Sequence, residues 1–298
     1  MIYNNLSRYL KERYGTSVRK ICIDGGFGCP NRDGTCGIGG CIFCGERGAG
    51  EHIKSGGIRE QAERALEHSD GKSLYIAYFQ NFTNTYAPVE TLRARYDEAL
   101  VSDRICALAV GTRPDCINEE VAALLHEYKS RLDVWVELGL QTASDKTAEI
   151  INRGYKTEVF LQAVRILDKY GIPFVVHTIV GLPGESHEDI VATTEVIRAT
   201  RPFGVKIHSL YVMEGTRLAE LYKRGGYLPL EEDDYVREVI YILTHLPPDT
   251  VVHRITGDCP EGLLLAPEWS RDKNRIIERI RQDMTENGLS QGIFSDIQ

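Results

Sequence analysis

Four of the chain's eight cysteines fall in one short run, CPNRDGTCGIGGCIFC, which places thiols at Cys29, Cys36, Cys41 and Cys44. Clustered thiols in a reducing compartment are poor candidates for disulfides and good candidates for metal ligands. Gly34, Gly37, Gly39 and Gly40 lie between them and let the backbone fold around a bound group. Two metal chemistries fit. A structural zinc site would take all four thiolates in a closed tetrahedron. An iron–sulfur cluster with one iron open to a small ligand would take three. Zinc ribbons usually bring two CxxC pairs, and here only Cys41 and Cys44 form one.

Such a loop needs elements to hold it. With 298 residues, 42% of them hydrophobic, the chain can bury a full core. Short runs near Val18–Ile23, Ser73–Phe79, Ala107–Thr112, Asp133–Leu138, Pro173–Val180 and Gly204–Ser209 read as strands. Between them Val89–Val101, Asn118–Lys129, Thr157–Tyr170 and His187–Ala199 carry apolar residues at three- and four-residue spacing and read as crossover helices. Gly171 before Pro173 closes one helix, and Ser186 with Asp189 resembles a capping arrangement for another. The alternation predicts an α/β fold: a partial (β/α)6 barrel of parallel strands over residues 1–212, with a C-terminal α/β extension over 213–298 packed on it. In that extension, 215–224 and Glu231–His245 read as helices and 251–260 as a strand and turn. Parallel β/α folds bind ligands beyond the carboxyl ends of their strands, so the cysteine loop, which follows the first strand, sits where chemistry is expected.

A net charge of −8 argues against a protein that coats nucleic acid by bulk electrostatics. Two stretches are locally basic: residues 1–20, with Arg8, Lys11, Arg13, Arg19 and Lys20, and residues 271–281, with Arg271, Lys273, Arg275, Arg279 and Arg281. They read equally as solvated helix faces and as a phosphate-binding surface. No apolar run approaches the ~20 residues of a membrane span, and MIYNNLSRYLKERYG lacks the apolar centre of a secretory signal. The expected location is the cytoplasm, away from membranes.

The cysteine run, followed in order by TRPD at 112–115, VELGLQ at 136–141 and HTIVGLPG at 177–184, resembles the radical S-adenosylmethionine (SAM) superfamily. Within it, the chain is similar to a bacterial branch related to the Elongator catalytic subunit and to oxygen-independent coproporphyrinogen oxidase. The common motif puts three residues between its first two cysteines; this chain has eleven, an expansion that Elongator-like relatives approach. The resemblance implies that Cys29, Cys41 and Cys44 hold a [4Fe–4S] cluster, with Cys36 outside the set. Phe43 matches the aromatic that packs against cluster and adenine, and Thr112 opens a turn shared with Elongator-like relatives. Gln141 and Arg153 match a pair that grips SAM in the oxidase, where an arginine can take the carboxylate bidentately. His177 matches a ribose contact, Ile179 a backbone contact to adenine, and Gly181 with Gly184 the adenine-binding turn. The family's GlyGlyGlu segment for the SAM amino group is missing; Gln80, Thr83 and Asn84 offer polar atoms after the second strand.

What the resemblance implies is reductive cleavage of SAM, with one electron from a partner such as flavodoxin or ferredoxin, and hydrogen abstraction from a substrate. The tail is similar to that of Elongator-like enzymes, which modify wobble uridine in tRNA. On that basis Arg254 and the 271–281 stretch could meet phosphates and Trp269 could stack a base, although Trp269 could equally pin the tail to the barrel. Three functions follow: a radical SAM enzyme on a tRNA uridine, the same chemistry on a small metabolite such as a porphyrin-like or heterocyclic compound, or a non-enzymatic zinc or iron–sulfur protein.

Overall fold

Strict alternation along each strand decides what faces outward and what faces in. In Asp133–Gln141, Val134, Val136 and Leu138 pack against the surrounding helices, while Trp135 joins a separate interior cluster with Ile76, Ala107, Ala109 and Val175. The computed structural model of the chain describes residues 2–48, 50, 53, 56–67 and 71–295. Its elements run α1 (Leu6–Tyr14), β1 (Val18–Ile23), α2 (Ile58–Glu67), β2 (Leu74–Phe79), α3 (Val89–Ala99), β3 (Ile105–Thr112), α4 (Glu119–Tyr128), β4 (Asp133–Gln141), α5 (Asp145–Ile150), α6 (Thr157–Lys169), β5 (Phe174–Val180), α7 (His187–Thr200) and β6 (Gly204–Ser209). The chain continues through β7 (Val212–Met213), α8 (Arg217–Lys223), α9 (Glu232–His245), β8 (Val251–Arg254), β9 (Leu264–Ala266) and α10 (Lys273–Glu286).

The main sheet has seven parallel strands in the order β1-β2-β3-β4-β5-β6-β8, curled with helices on its outer face. Six of those strands match the sequence reading to within two residues at their starts. The seventh is a correction to the strand count. Val251–Arg254, expected as part of the extension, pairs with β6 and extends the barrel wall. β4 also runs three residues beyond the expected Leu138, to Gln141, whose φ of +66° ends the strand in a left-handed turn. α7 opens with the capping box expected of Ser186 and Asp189.

α1 was legible only as a basic helix; its job is tertiary. Leu6 and Leu10 insert into the interior cluster beside Trp135 and Val175, and Arg13 and Tyr14 reach Asp133 at the start of β4, at 2.9 and 2.5 Å. The helix therefore plugs the amino end of the barrel. Residues just before it bridge to the last strand, with Val252 N–H donating to the Asn4 carbonyl at 2.7 Å. Burying a leucine in this way contributes roughly 1.5–3 kcal/mol.

Candidate active site

The cysteine loop fills the space between β1 and α2 and is tied down by the turn after α5. Asn31, wholly buried, donates to the Asn152 carbonyl at 2.6 Å and lies 3.9 Å from the Cys41 sulfur. Asn152 in turn donates to the Gly40 carbonyl at 2.7 Å, and Ile42 N–H to the Ile151 carbonyl at 3.0 Å. Gly37 cannot carry a side chain, because a Cβ there would lie 2.0 Å from the Asn31 Oδ1. Arg32 and Arg217 hold the loop's carbonyls from the other side, Arg32 at 2.5 Å from that of Gly45 and Arg217 on that of Gly40.

This loop roofs a cavity of about 690 Å³ at the carboxyl ends of the strands. Cys29, Cys41 and Cys44 all line it; Cys36 does not. The Cys36 thiol is on the exposed side, 3.4 Å from an Arg113 nitrogen and 3.7 Å from Asp115. Hydrogen bonding from Cys41, aided by Arg32, holds the Cys44 thiol below the ordinary cysteine range. Among the described residues, no three His, Cys, Asp or Glu side chains converge on a single ion position.

Phe43, Thr112, Gln141, Arg153, His177 and Ile179 also line the cavity, as do Gln80 and Thr83. Gly181 and Asn84 do not. Gly181, at φ +96°, sits beneath Leu230, and its carbonyl accepts from the Tyr227 hydroxyl at 2.7 Å. Asn84 donates to the carbonyls of Phe79 and Gly111, at 3.1 and 2.7 Å, and so locks two strand ends together. Thr112 is bonded to Thr85 at 2.6 Å.

Arg153 is fully buried, and its fork is directed at backbone rather than at open space. Nη1 donates to the carbonyls of Leu140 and Thr142, both at 2.6 Å, and Nε to that of Tyr155 at 2.9 Å. Its guanidinium and that of Arg113 both pack on the Tyr155 ring, at 4.6 and 4.8 Å. Arg153→Ala should leave the Thr142 and Tyr155 carbonyls without a donor, at about 1–3 kcal/mol each before relaxation, while the Leu140 carbonyl keeps the Thr142 N–H. A fall in melting temperature of ~5 °C or more is expected, with loss of cluster loading as the loop loosens. An unchanged melting temperature with weakened SAM binding would instead assign Arg153 a purely ligand-binding role.

Beneath the cysteines lies a polar layer that the sequence reading missed. Glu137, with no exposed side-chain surface, is paired to Lys206 and accepts from His177 at 2.9 Å. Lys20 lies 4.0 Å from it and His253 3.9 Å, while Lys206 also donates to the Tyr78 hydroxyl at 3.1 Å. Burial alone would raise the Glu137 pKa, but Lys206 and Lys20 outweigh it and hold the carboxyl well below its usual range. Burial, reinforced by Lys206, pushes His177 down to about 4, so its ring is neutral near pH 7. An ionised carboxylate only accepts; the His177 proton therefore sits on Nε2, and Nδ1 is the acceptor left over. The signal was present: Lys20, Tyr78, Glu137, His177 and Lys206 are inward positions of five strands, but alternation had to be read against known neighbours to see it.

The two basic stretches do meet, with Arg281 over the Tyr3 ring at 5.6 Å. Their charge, which read equally as solvated helix faces and as a phosphate-binding surface, is largely matched within the protein. Glu232 takes Arg275 and Arg279 at 2.5 and 2.8 Å, Asp233 takes Arg279 at 2.5 Å, and Asp258 takes Lys273 at 3.0 Å. Trp269 packs on Tyr235, with centroids 4.9 Å apart, and donates to the Leu230 carbonyl at 2.9 Å, so it pins the tail.

Residues 26–197 match the Radical SAM superfamily, and residues 202–286 match the Radical_SAM C-terminal domain. The chain belongs to the radical SAM superfamily. It is 40% identical over 98% of its length to the uncharacterized protein YtqA of Bacillus subtilis, covering 92% of that protein. A tRNA uridine(34) acetyltransferase of Methanocaldococcus jannaschii is 32% identical over 62% of the chain, which spans 34% of that larger protein. In structure the chain resembles Elp3 of the archaeon Methanocaldococcus infernus with a TM-score of 0.67 at 20% identity, over 92% of this chain and 64% of that one. That likeness establishes the curled α/β half-barrel.

Radical SAM enzymes use a [4Fe–4S] cluster and SAM and require a reductant. The residues present fit both groups. Three thiols share one cavity wall, Arg32 and Arg113 offset thiolate charge, and the buried Thr83 hydroxyl and Asn31 Oδ1 have no protein partner among the described residues. No helix among the described residues is long and apolar enough to cross a membrane.

Proposed function

We propose that this protein reductively cleaves SAM at a cluster held by Cys29, Cys41 and Cys44, and that its substrate is a uridine in tRNA. The observation that carries the first half is that three of the loop's four thiols line the cavity, which leaves one iron of a four-iron cluster for SAM. The chemistry a bound cluster supplies is one-electron reduction of SAM, yielding a radical that takes hydrogen from a substrate carbon. The chain's own residues position the reactants. Gln141, at the end of β4, and His177, through its Nδ1 acceptor, face the same cavity and would orient SAM; the Leu6 and Leu10 plug and the cysteine roof would keep water out.

The tRNA half is supported by the tRNA uridine(34) acetyltransferase relative and by the fold shared with Elp3. A second reading, a small metabolite as substrate, is favoured by the matched charges of α10 and the inward packing of Trp269. A nucleoside profile of tRNA from a strain lacking this protein tests the choice. We expect loss or truncation of a modified uridine, restored by the wild-type gene and not by Cys41→Ala. An unchanged profile would transfer the assignment to the metabolite reading. The electron source in this reading is a flavodoxin or ferredoxin.

A further inference from the structure

Positive charge is concentrated around the cavity of a chain whose net charge is −8. Arg32, Arg113 and Arg153 stand on the cysteine side, where thiolates and the SAM carboxylate would balance them. The other end is lined by Lys20, Lys206 and Arg254; of the two carboxylates in the cavity lining, Glu137 is paired to Lys206 and Asp258 takes Lys273. Arg254 has no carboxylate partner among the described residues, and its β8 position brings it beside β6 and Lys206.

The layer is also short of hydrogen-bond partners. His253 lines the cavity with no exposed side-chain surface; its ring packs edge-on against Trp135 and Phe203 and its Nδ1 lies 3.9 Å from Glu137, yet neither ring nitrogen has a hydrogen-bond partner among the described residues. Buried polar groups are nearly always satisfied, and an orphan at a cavity wall marks a missing partner. One layer deeper the barrel is filled by Ile76, Ala107, Trp135, Val175 and Leu10, and desolvating two lysines and a carboxylate costs several kcal/mol per ion.

We infer that this end of the cavity is an oxyanion site, in which Lys20, Lys206 and Arg254 hold a carboxylate or phosphate group of the substrate and His253 bonds to it. The inference rests on the cavity being the substrate's site and names the chemistry the substrate must carry. Lys206 is anchored by Glu137 and Tyr78 and sets the position of the anion; Lys20 and Arg254 close on it from the two edge strands, β1 and β8.

The test uses cluster-loaded protein saturated with SAM, so that the SAM carboxylate already fills its own place. Inorganic phosphate and succinate are titrated separately by calorimetry. Wild type should bind one of them, and Lys20→Gln/Arg254→Gln should bind it at least about 10-fold more weakly, which is about 1.4 kcal/mol. Iron content and melting temperature confirm that the variant is folded; Lys206→Arg, which keeps the charge, should retain binding. Tighter phosphate points to a nucleotide-like substrate, tighter succinate to a carboxylated one. The inference falls if neither ion binds wild type, or if both proteins bind equally. Failure of the radical SAM assignment would show separately, as absent iron or no SAM cleavage, and failure of the tRNA reading as an unchanged nucleoside profile.

Discussion

Cys29→Ala, Cys41→Ala and Cys44→Ala proteins, purified anaerobically, are expected to carry little or no iron and sulfide, while Cys36→Ala keeps wild-type content and SAM cleavage. Each of the first three removes a thiolate from the cavity wall, and among the described residues no other thiol of the loop lines the cavity to take its place. Cys36 touches Arg113 and Asp115 outside the cavity. Metal and sulfide analysis with the visible absorption spectrum reads the result. Zinc in place of iron in wild type, or loss of metal in Cys36→Ala, would overturn the ligand assignment.

Glu137→Leu should be among the most destabilising single changes in the barrel. It takes the counter-ion from Lys206, which burial already pushes down to about 7, and removes the acceptor of His177, a class of change that costs about 3–5 kcal/mol. For a chain of this size that corresponds to a melting temperature lowered by roughly 5–8 °C. Glu137→Leu/Lys206→Met should recover most of the loss, because apolar replacement of a buried ion pair is often neutral or stabilising. Thermal melts of both variants decide the matter. Recovery means that the polar layer is maintained for a ligand at some cost to the fold; a double variant no more stable than the single one would make the layer structural and weaken the oxyanion site.

The local sequence determined six strands of the main sheet, the crossover helices between β2 and β6, and the loop in which the chemistry lies. Runs such as Gly204–Ser209 became strands with the expected bounds, since β-branched alternation is a property of neighbours in sequence. The thiol spacing, with the downstream TRPD and VELGLQ segments, was enough to place the chain in its superfamily. Tertiary structure decided how those pieces share charge. Arg153 could be read as a hand for SAM, but only the fold shows its fork on the Leu140 and Thr142 carbonyls. Arg275 and Arg279 read equally as a solvated helix face and as a phosphate surface, and only the fold shows α9 bringing Glu232 and Asp233 against them. The seventh strand, the α1 plug and the Glu137 layer were hidden for the same reason: each depends on residues tens to hundreds of positions apart becoming neighbours. Burial, and with it the pairing of a charge, is a property of those neighbours and not of the residue that carries it.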